Sequence, residues 1–318
     1  MYDNTHSVSR PLFLVGSERS GTTLLRLMLD HHPSLAFEYE FEYVVEKVGD
    51  DGTWPDLDSY EEWLSTHRIF LTRRYDIDKR LSYPQLVTDF LVQRRRRASK
   101  PLVGATVHYH FDRLPRIWPD SRFIHLIRDG RDVAKSVIGM GWAGNTWTAI
   151  DLWIKAEETW EVLKQGLSPD RAFDVRYEDL IQRPVETLTE LCRFVGIEYD
   201  PAMMRYPEDS TYSTPDPNLI EQWRSKQSER DVRLAEARAG QWLLRRGYKL
   251  SWLPPIEVNE NTKVELARQC KQYRRKFRIN RYGVLLFGMD YLARKLSLAE
   301  LATQTGKRIQ AIDNSMLK

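Results

Sequence analysis

The sequence predicts an α/β protein: a parallel sheet flanked by helices, followed by a helical C-terminal extension. Three observations carry this. Short apolar runs bounded by turn residues alternate with longer stretches whose apolar residues recur at helical spacing, the pattern of βαβ units. After Tyr199 the strand-like runs stop and the pattern is helical. The chain has 318 residues, 42% hydrophobic and 29% charged, an ordinary globular composition that can bury a core without disulfides.

Taken in order, Pro11-Leu12-Phe13-Leu14-Val15 is an apolar run stopped by Gly16 and reads as a buried strand. Over residues 21–32, Leu24, Leu25, Met28 and Leu29 share a helical face, and Pro33 ends the helix. Residues 50–80, with Trp54, Tyr60, Trp63, Phe70 and Tyr75, read as an insertion between core elements. The run Arg94-Arg95-Arg96-Arg97 closes an amphipathic stretch, as a solvated helix end or an anion-facing patch. Residues 102–107 and 122–127 are further strands, the second leading into a helix from about Arg131. Residues 145–165 read as one long helix and residues 172–176 as a strand. A helix starting at Pro184 places Val185, Leu188, Leu191, Cys192 and Val195 on one face, with Gly196 past its end. Residues 229–246 form a helix stopped at Gly247; Leu266, Cys270, Tyr273 and Phe277 mark another, and Leu285, Met289, Leu292 and Leu296 a third. Pro254-Pro255 suggests a division into residues 1–254 and a basic extension, residues 255–318.

Net charge is +3, unevenly spread. Residues 261–318 hold 13 basic and 4 acidic side chains, whereas residues 1–260 hold 35 and 41. A basic tail on a mildly acidic body predicts an anionic partner for the tail and no nucleic acid; its basic-then-apolar segment, residues 273–296, fits an anionic membrane face, a second subunit or packing against the core. The two cysteines, Cys192 and Cys270, exclude a disulfide framework and a structural zinc site. No apolar run reaches the roughly 18 residues of a membrane helix, and the first ten residues lack a signal peptide's apolar core. The expectation is a metal-free cytoplasmic protein, with the inner membrane face within reach of its tail.

The chemistry-bearing segment is Gly16-Ser17-Glu18-Arg19-Ser20-Gly21-Thr22-Thr23, between the first strand and the first helix. Unpaired N–H groups at a helix N-terminus bind anions, and glycines let the backbone wrap an oxyanion. The string resembles a P-loop, GxxxxGK[ST], with Thr22 in the lysine's place and the positive charge moved to Arg19. The expected fold is accordingly P-loop NTPase-like; the plainer alternative is a polar turn with a serine cap. A second constellation has Arg128 at the end of a strand and Ser136 eight residues on, both toward the same sheet edge, with Asp129, Arg131 and Asp132 capping the helix between them.

Together the two motifs resemble the sulfotransferases that use 3′-phosphoadenosine 5′-phosphosulfate (PAPS), in particular the bacterial GRSGTT-type and tyrosylprotein branches. The resemblance implies that Ser17, Arg19, Ser20, Gly21, Thr22 and Thr23 hold the 5′-phosphosulfate, and that Arg128 and Ser136 hold the 3′-phosphate. Val175-Arg176-Tyr177-Glu178-Asp179-Leu180 resembles the family's YEDL stretch and implies that Tyr177 meets adenine. The segment from Trp223 to Tyr248 is similar to the family's closing tryptophan-plus-helix, so the likeness covers roughly residues 10–250. Departures include Glu18 inside the loop, Ala105-Thr106 where many bacterial members carry lysine, and Gln222 where the tyrosylprotein branch has lysine.

The implied reaction is in-line sulfuryl transfer to an acceptor hydroxyl or amine, releasing adenosine 3′,5′-bisphosphate (PAP), without metal. Arg19 stabilises charge growing on the bridging oxygen. The resemblance places the general base at Glu40; Glu38 and Glu42 would share its side of a strand and raise its pKa. His108 is the alternative base. The expected acceptor is a small molecule, glycan or lipid, but the chain does not identify it: sugars, lipids, phenols, peptides and polyketides all stay open. Two other readings stay open: a P-loop kinase or nucleotide hydrolase, and a non-catalytic nucleotide-binding module.

Overall fold

The computed structural model describes residues 8–316; the first seven residues, on which part of the signal-peptide reading rests, and the last two lie outside the described residues. Strands β1 (Leu12–Val15), β2 (Leu35–Glu38), β3 (Leu102–Val107), β4 (Arg122–Ile127) and β5 (Ala172–Arg176) form one sheet, in the order β2-β3-β1-β4-β5. Every pairing is parallel. Alternate residues face opposite ways: Leu12, Leu14, Ile124 and Leu126 pack on one side, Phe13, Val15, Phe123 and Val107 on the other. Both faces are apolar and both are covered, as parallel sheets require. The helices Thr22–His31 and Pro184–Val195 close the first side; the helix Tyr83–Ala98, Trp118 and Trp160 close the second.

Register sets the site. Val15 is paired with Val107 on one side and His125 on the other. The chain therefore leaves β1 at Gly16, β3 at His108 and β4 at Arg128 along a single edge. With β3 and β4 on opposite sides of β1, this edge is the switch point where parallel sheets open a crevice.

Three local expectations change. Residues 145–165 form two helices, Thr146–Ala149 and Asp151–Gln165. Asn145 caps the first by accepting from the Thr148 N–H and donates to the Leu266 carbonyl, which ties that turn to the C-terminal helices. β2 ends at Glu38, so Glu38, Glu40 and Glu42 do not share a strand face: Glu40 lies in the following turn, and Glu42 opens the 3-10 turn Glu42–Val44. Arg94 and Arg97 are structural ties. Arg94 pairs with Asp30 at 2.6 Å, and Arg97 donates to the Arg73 and Arg74 carbonyls.

The insertion holds the helices Leu57–Leu64 and Arg68–Arg73. Beyond residue 254 come the helices Glu260–Tyr282, Val284–Lys295 and Ala299–Met316, the last one more than the periodicity indicated. The first of them packs on the α/β body through the buried Leu266 and Cys270. A Cβ on Gly144 would stand 2.7 Å from the Cys270 Cα, so this contact is close.

Candidate active site

Backbone constraint shapes the loop after β1. Gly16 has φ +141°, and a Cβ there would meet the Leu126 carbonyl oxygen at 2.5 Å. Gly21 has φ +99° and would put a Cβ 2.5 Å from the Tyr177 ring. Arg19 is itself left-handed, at φ +69°. Glycine at both ends and a left-handed turn at Arg19 fold the segment into a nest that feeds the helix Thr22–His31. That helix has no side-chain N-cap, so its first N–H groups are free to face an anion.

The two sequence motifs meet. Arg19 Nε donates to Ser136 Oγ at 3.1 Å. Arg128 donates to the Arg19 carbonyl at 3.4 Å and to the Leu219 carbonyl at 2.9 Å, and its guanidinium lies 4.3 Å from the Tyr177 ring centroid. Arg19, Gly21, Thr22, Thr23, Arg128, Ser136 and Tyr177 all line one cleft of about 510 Å³, closed on its far side by the segment 211–219. Ser17 is buried, with its hydroxyl donating to the Glu18 carbonyl. Ser20 Oγ and Arg128 Nε are buried without a hydrogen-bond partner among the described residues. Two orphaned donors beside a helix N-terminus and two arginines suit a ligand that carries several anionic oxygens.

A second cavity, about 580 Å³, opens on the other side of the loop. Its wall includes Glu18, Glu40, Glu42, His108, Tyr39 and Trp142, and Arg19 lines this cavity as well as the cleft. Glu18 borders this cavity and not the cleft. Burial pushes its pKa up, helped by Glu42 and Glu40 and opposed by His108 and Arg19. Glu40 makes no hydrogen bond or ion pair among the described residues and stands free in the cavity. Glu38 is instead turned into the core, where it accepts from Tyr75 and pairs with Arg73 at 3.4 Å.

Sequence reasoning missed the role of Glu42. This buried carboxylate accepts from the His108 backbone N–H at 2.9 Å and from its Nδ1 at 2.7 Å. A carboxylate only accepts, so the proton sits on Nδ1 and Nε2 faces Thr22 Oγ1, 2.9 Å away. Burial acts to lower the His108 pKa, but the hydrogen bond and charge of Glu42, joined by Glu18 and Glu40, outweigh it and the net shift is upward. The only sequence signal was an acidic residue two positions beyond Glu40; its partner lies 66 residues away.

A family model described as the sulfotransferase family matches residues 11–201, more than half of the chain. The chain belongs to the sulfotransferase family. Among curated sulfotransferases it is 25% identical over 211 residues to a protein-tyrosine sulfotransferase of Drosophila melanogaster, covering 62% of this chain but only 40% of the fly protein. It is 26% identical over 267 residues to the omega-hydroxy-beta-dihydromenaquinone-9 sulfotransferase of Mycobacterium bovis, covering 63% of this chain and 67% of that one. Two solved sulfotransferase domains share the fold. The domain from the curacin biosynthetic pathway superposes with TM-score 0.59 at 19% identity, covering 77% of this chain and 99% of that domain. The domain from the Synechococcus PCC 7002 olefin synthase gives 0.57 at 24%, covering 77% and 98%. The sulfotransferase match contains the loop 16–23, Arg128, Ser136 and Tyr177, and it ends before the basic extension.

Proposed function

We propose that this chain transfers a sulfuryl group from PAPS to a hydroxyl, or an amine, of a small-molecule, glycan or lipid acceptor. The observation that carries the reading is Arg19, the residue shared by a polyanion cleft and a carboxylate-lined cavity. The donor lies in the cleft, its phosphosulfate on the loop N–H groups, Ser20, Thr22 and Thr23, its 3′-phosphate on Arg128 and Ser136, and its adenine near Tyr177. The acceptor enters the second cavity. As the sulfur–oxygen bond to the nucleotide breaks, Arg19 offsets the charge that grows on the bridging oxygen. Glu40, free of other partners, takes the acceptor's proton, and PAP leaves. His108, held by Glu42, bonds Thr22 at the boundary of the two spaces. It is the second choice of base because its Nε2 already faces Thr22 Oγ1 at 2.9 Å and Glu42 shifts its pKa upward against burial.

Residues 1–254 form the transferase unit in this reading, and residues 255–318 the basic extension. In the same reading the chain is cytoplasmic. The test is incubation of the purified chain with sulfur-labelled PAPS and a cell extract. Label moves to an acceptor in wild type; in Glu40→Gln the rate drops by about 10²–10⁴-fold, with PAP affinity retained. Full activity in Glu40→Gln, with loss in His108→Asn, would transfer the base to His108. A chain that consumes Mg²⁺-ATP and leaves PAPS untouched would return the kinase or hydrolase reading.

A further inference from the structure

The helices Glu260–Tyr282 and Val284–Lys295 join a basic stripe to an uncovered apolar ridge. Residues 271–295 contain eight Lys or Arg and one acid, Asp290. Asp290 is buried against Arg278, Arg294 and Thr305, which consumes its charge locally. Lys271, Arg274, Arg275 and Lys276 are exposed and make no hydrogen bond or ion pair among the described residues. Lys271, Arg274, Arg275 and Arg278 form one wall of a groove of about 740 Å³; Phe287 and Tyr291 belong to the opposite helix. Beside the groove, Val284, Leu285, Tyr291, Leu292 and Leu296 fall along one helical face and are 52–78% exposed. Soluble monomers rarely leave so contiguous an apolar face bare.

We infer that this face docks on the surface of an anionic bilayer. Free cations next to exposed aliphatic and aromatic side chains match lipid phosphates above acyl chains. A second copy of this chain fits less well, because a two-fold interface would set the unpaired basic stripe against itself. No described helix is long and apolar enough to cross a membrane. The docking face also lies beside the carboxylate-lined cavity: Tyr273 donates to the Ile138 carbonyl, Phe277 packs at Gly141, and Met140 and Trp142 line that cavity.

The experiment is co-flotation of the full chain with phosphatidylcholine vesicles, with or without phosphatidylglycerol. Wild type floats only with the anionic vesicles and is released by salt. The triple variant Lys271→Glu, Arg274→Glu, Arg275→Glu, whose exposed sites do not bear on folding, loses about a hundredfold or more in partitioning, because each surface cation contributes roughly a fivefold step. Leu285→Ser with Leu292→Ser weakens flotation at unchanged net charge. Failure of wild type to bind anionic vesicles, or undiminished binding by the charge-reversed variant, overturns the inference. So does a stable wild-type dimer that Leu285→Ser and Leu292→Ser convert to monomer with no vesicle binding in either form, which would assign the face to self-association.

Discussion

Arg19 holds its position through backbone conformation as much as through its side chain. A left-handed φ at a residue with a long side chain is unfavourable unless its surroundings hold it. Here the Arg128 guanidinium bonds its carbonyl and Ser136 bonds its Nε, so the two sequence motifs brace each other. Glu42 plays the corresponding part in the carboxylate-lined cavity. It supports His108 by two hydrogen bonds and is the first contributor that raises the imidazole pKa against burial. Replacing Glu42 with Gln removes the charge but keeps an acceptor for the backbone N–H. The expected outcome is that His108, followed by NMR titration, loses its proton at lower pH than in wild type. An unchanged His108 titration would show that Glu42 is not its controlling partner.

At the scale of elements, β4 and its neighbours contain a charged network inside the core. His125 on β4 is fully buried, stacked on Trp160 at 4.6 Å between ring centroids, 3.1 Å from Asp174 on β5 and 3.6 Å from Glu157. Arg246 pairs with Glu157 from the other side at 2.6 Å. Burial works to lower the His125 pKa; Glu157 and Asp174 overcome it, and the folded value lies above the ordinary one. A raised histidine stabilises fully below its unfolded pKa, about 6.5, and that contribution is lost as pH rises through the folded value. The stability advantage of wild type over His125→Asn should therefore shrink as pH climbs above about 6.5, measured by denaturant midpoints across pH. A gap that widens with pH would reverse the assignment. None of this network was visible in the sequence, because its members are 17–121 residues apart and no local pattern marks them.

What was legible at this scale was local. The strand–loop–helix around Gly16 and Gly21 is written in one short segment, and Arg128 and Ser136 sit eight residues apart on the next such unit. Their meeting follows from the parallel register of β1 with β4. The acidic stretch was harder to read. Alternation at 38, 40 and 42 looks like one strand face, but β2 ends at Glu38 and the backbone turns, which sends Glu38 to Arg73, Glu40 to the cavity and Glu42 to His108. Pairings set by where a strand stops are tertiary information. The start of the helix Thr146–Ala149 is tertiary information too, since its cap, Asn145, also donates to Leu266 far along the chain.

At the scale of the whole molecule, charge is separated along the chain. An acidic body encloses a cleft whose arginines and helix N-terminus attract a polyanion, while the basic extension presents its cations elsewhere. The central claim is that the nest after β1 is matched to a nucleotide bearing a 3′-phosphate, with Arg19 and Arg128 supplying what a lysine supplies in ATP-binding loops. Isothermal titration calorimetry with adenosine 3′,5′-bisphosphate tests it most directly. Saturable binding that Mg²⁺-ATP does not match is expected, weakened about ten- to a hundredfold in Arg128→Ala, the range of one charge-assisted hydrogen-bonded contact. No heat with the bisphosphate, alongside tight binding of Mg²⁺-ATP, would contradict it.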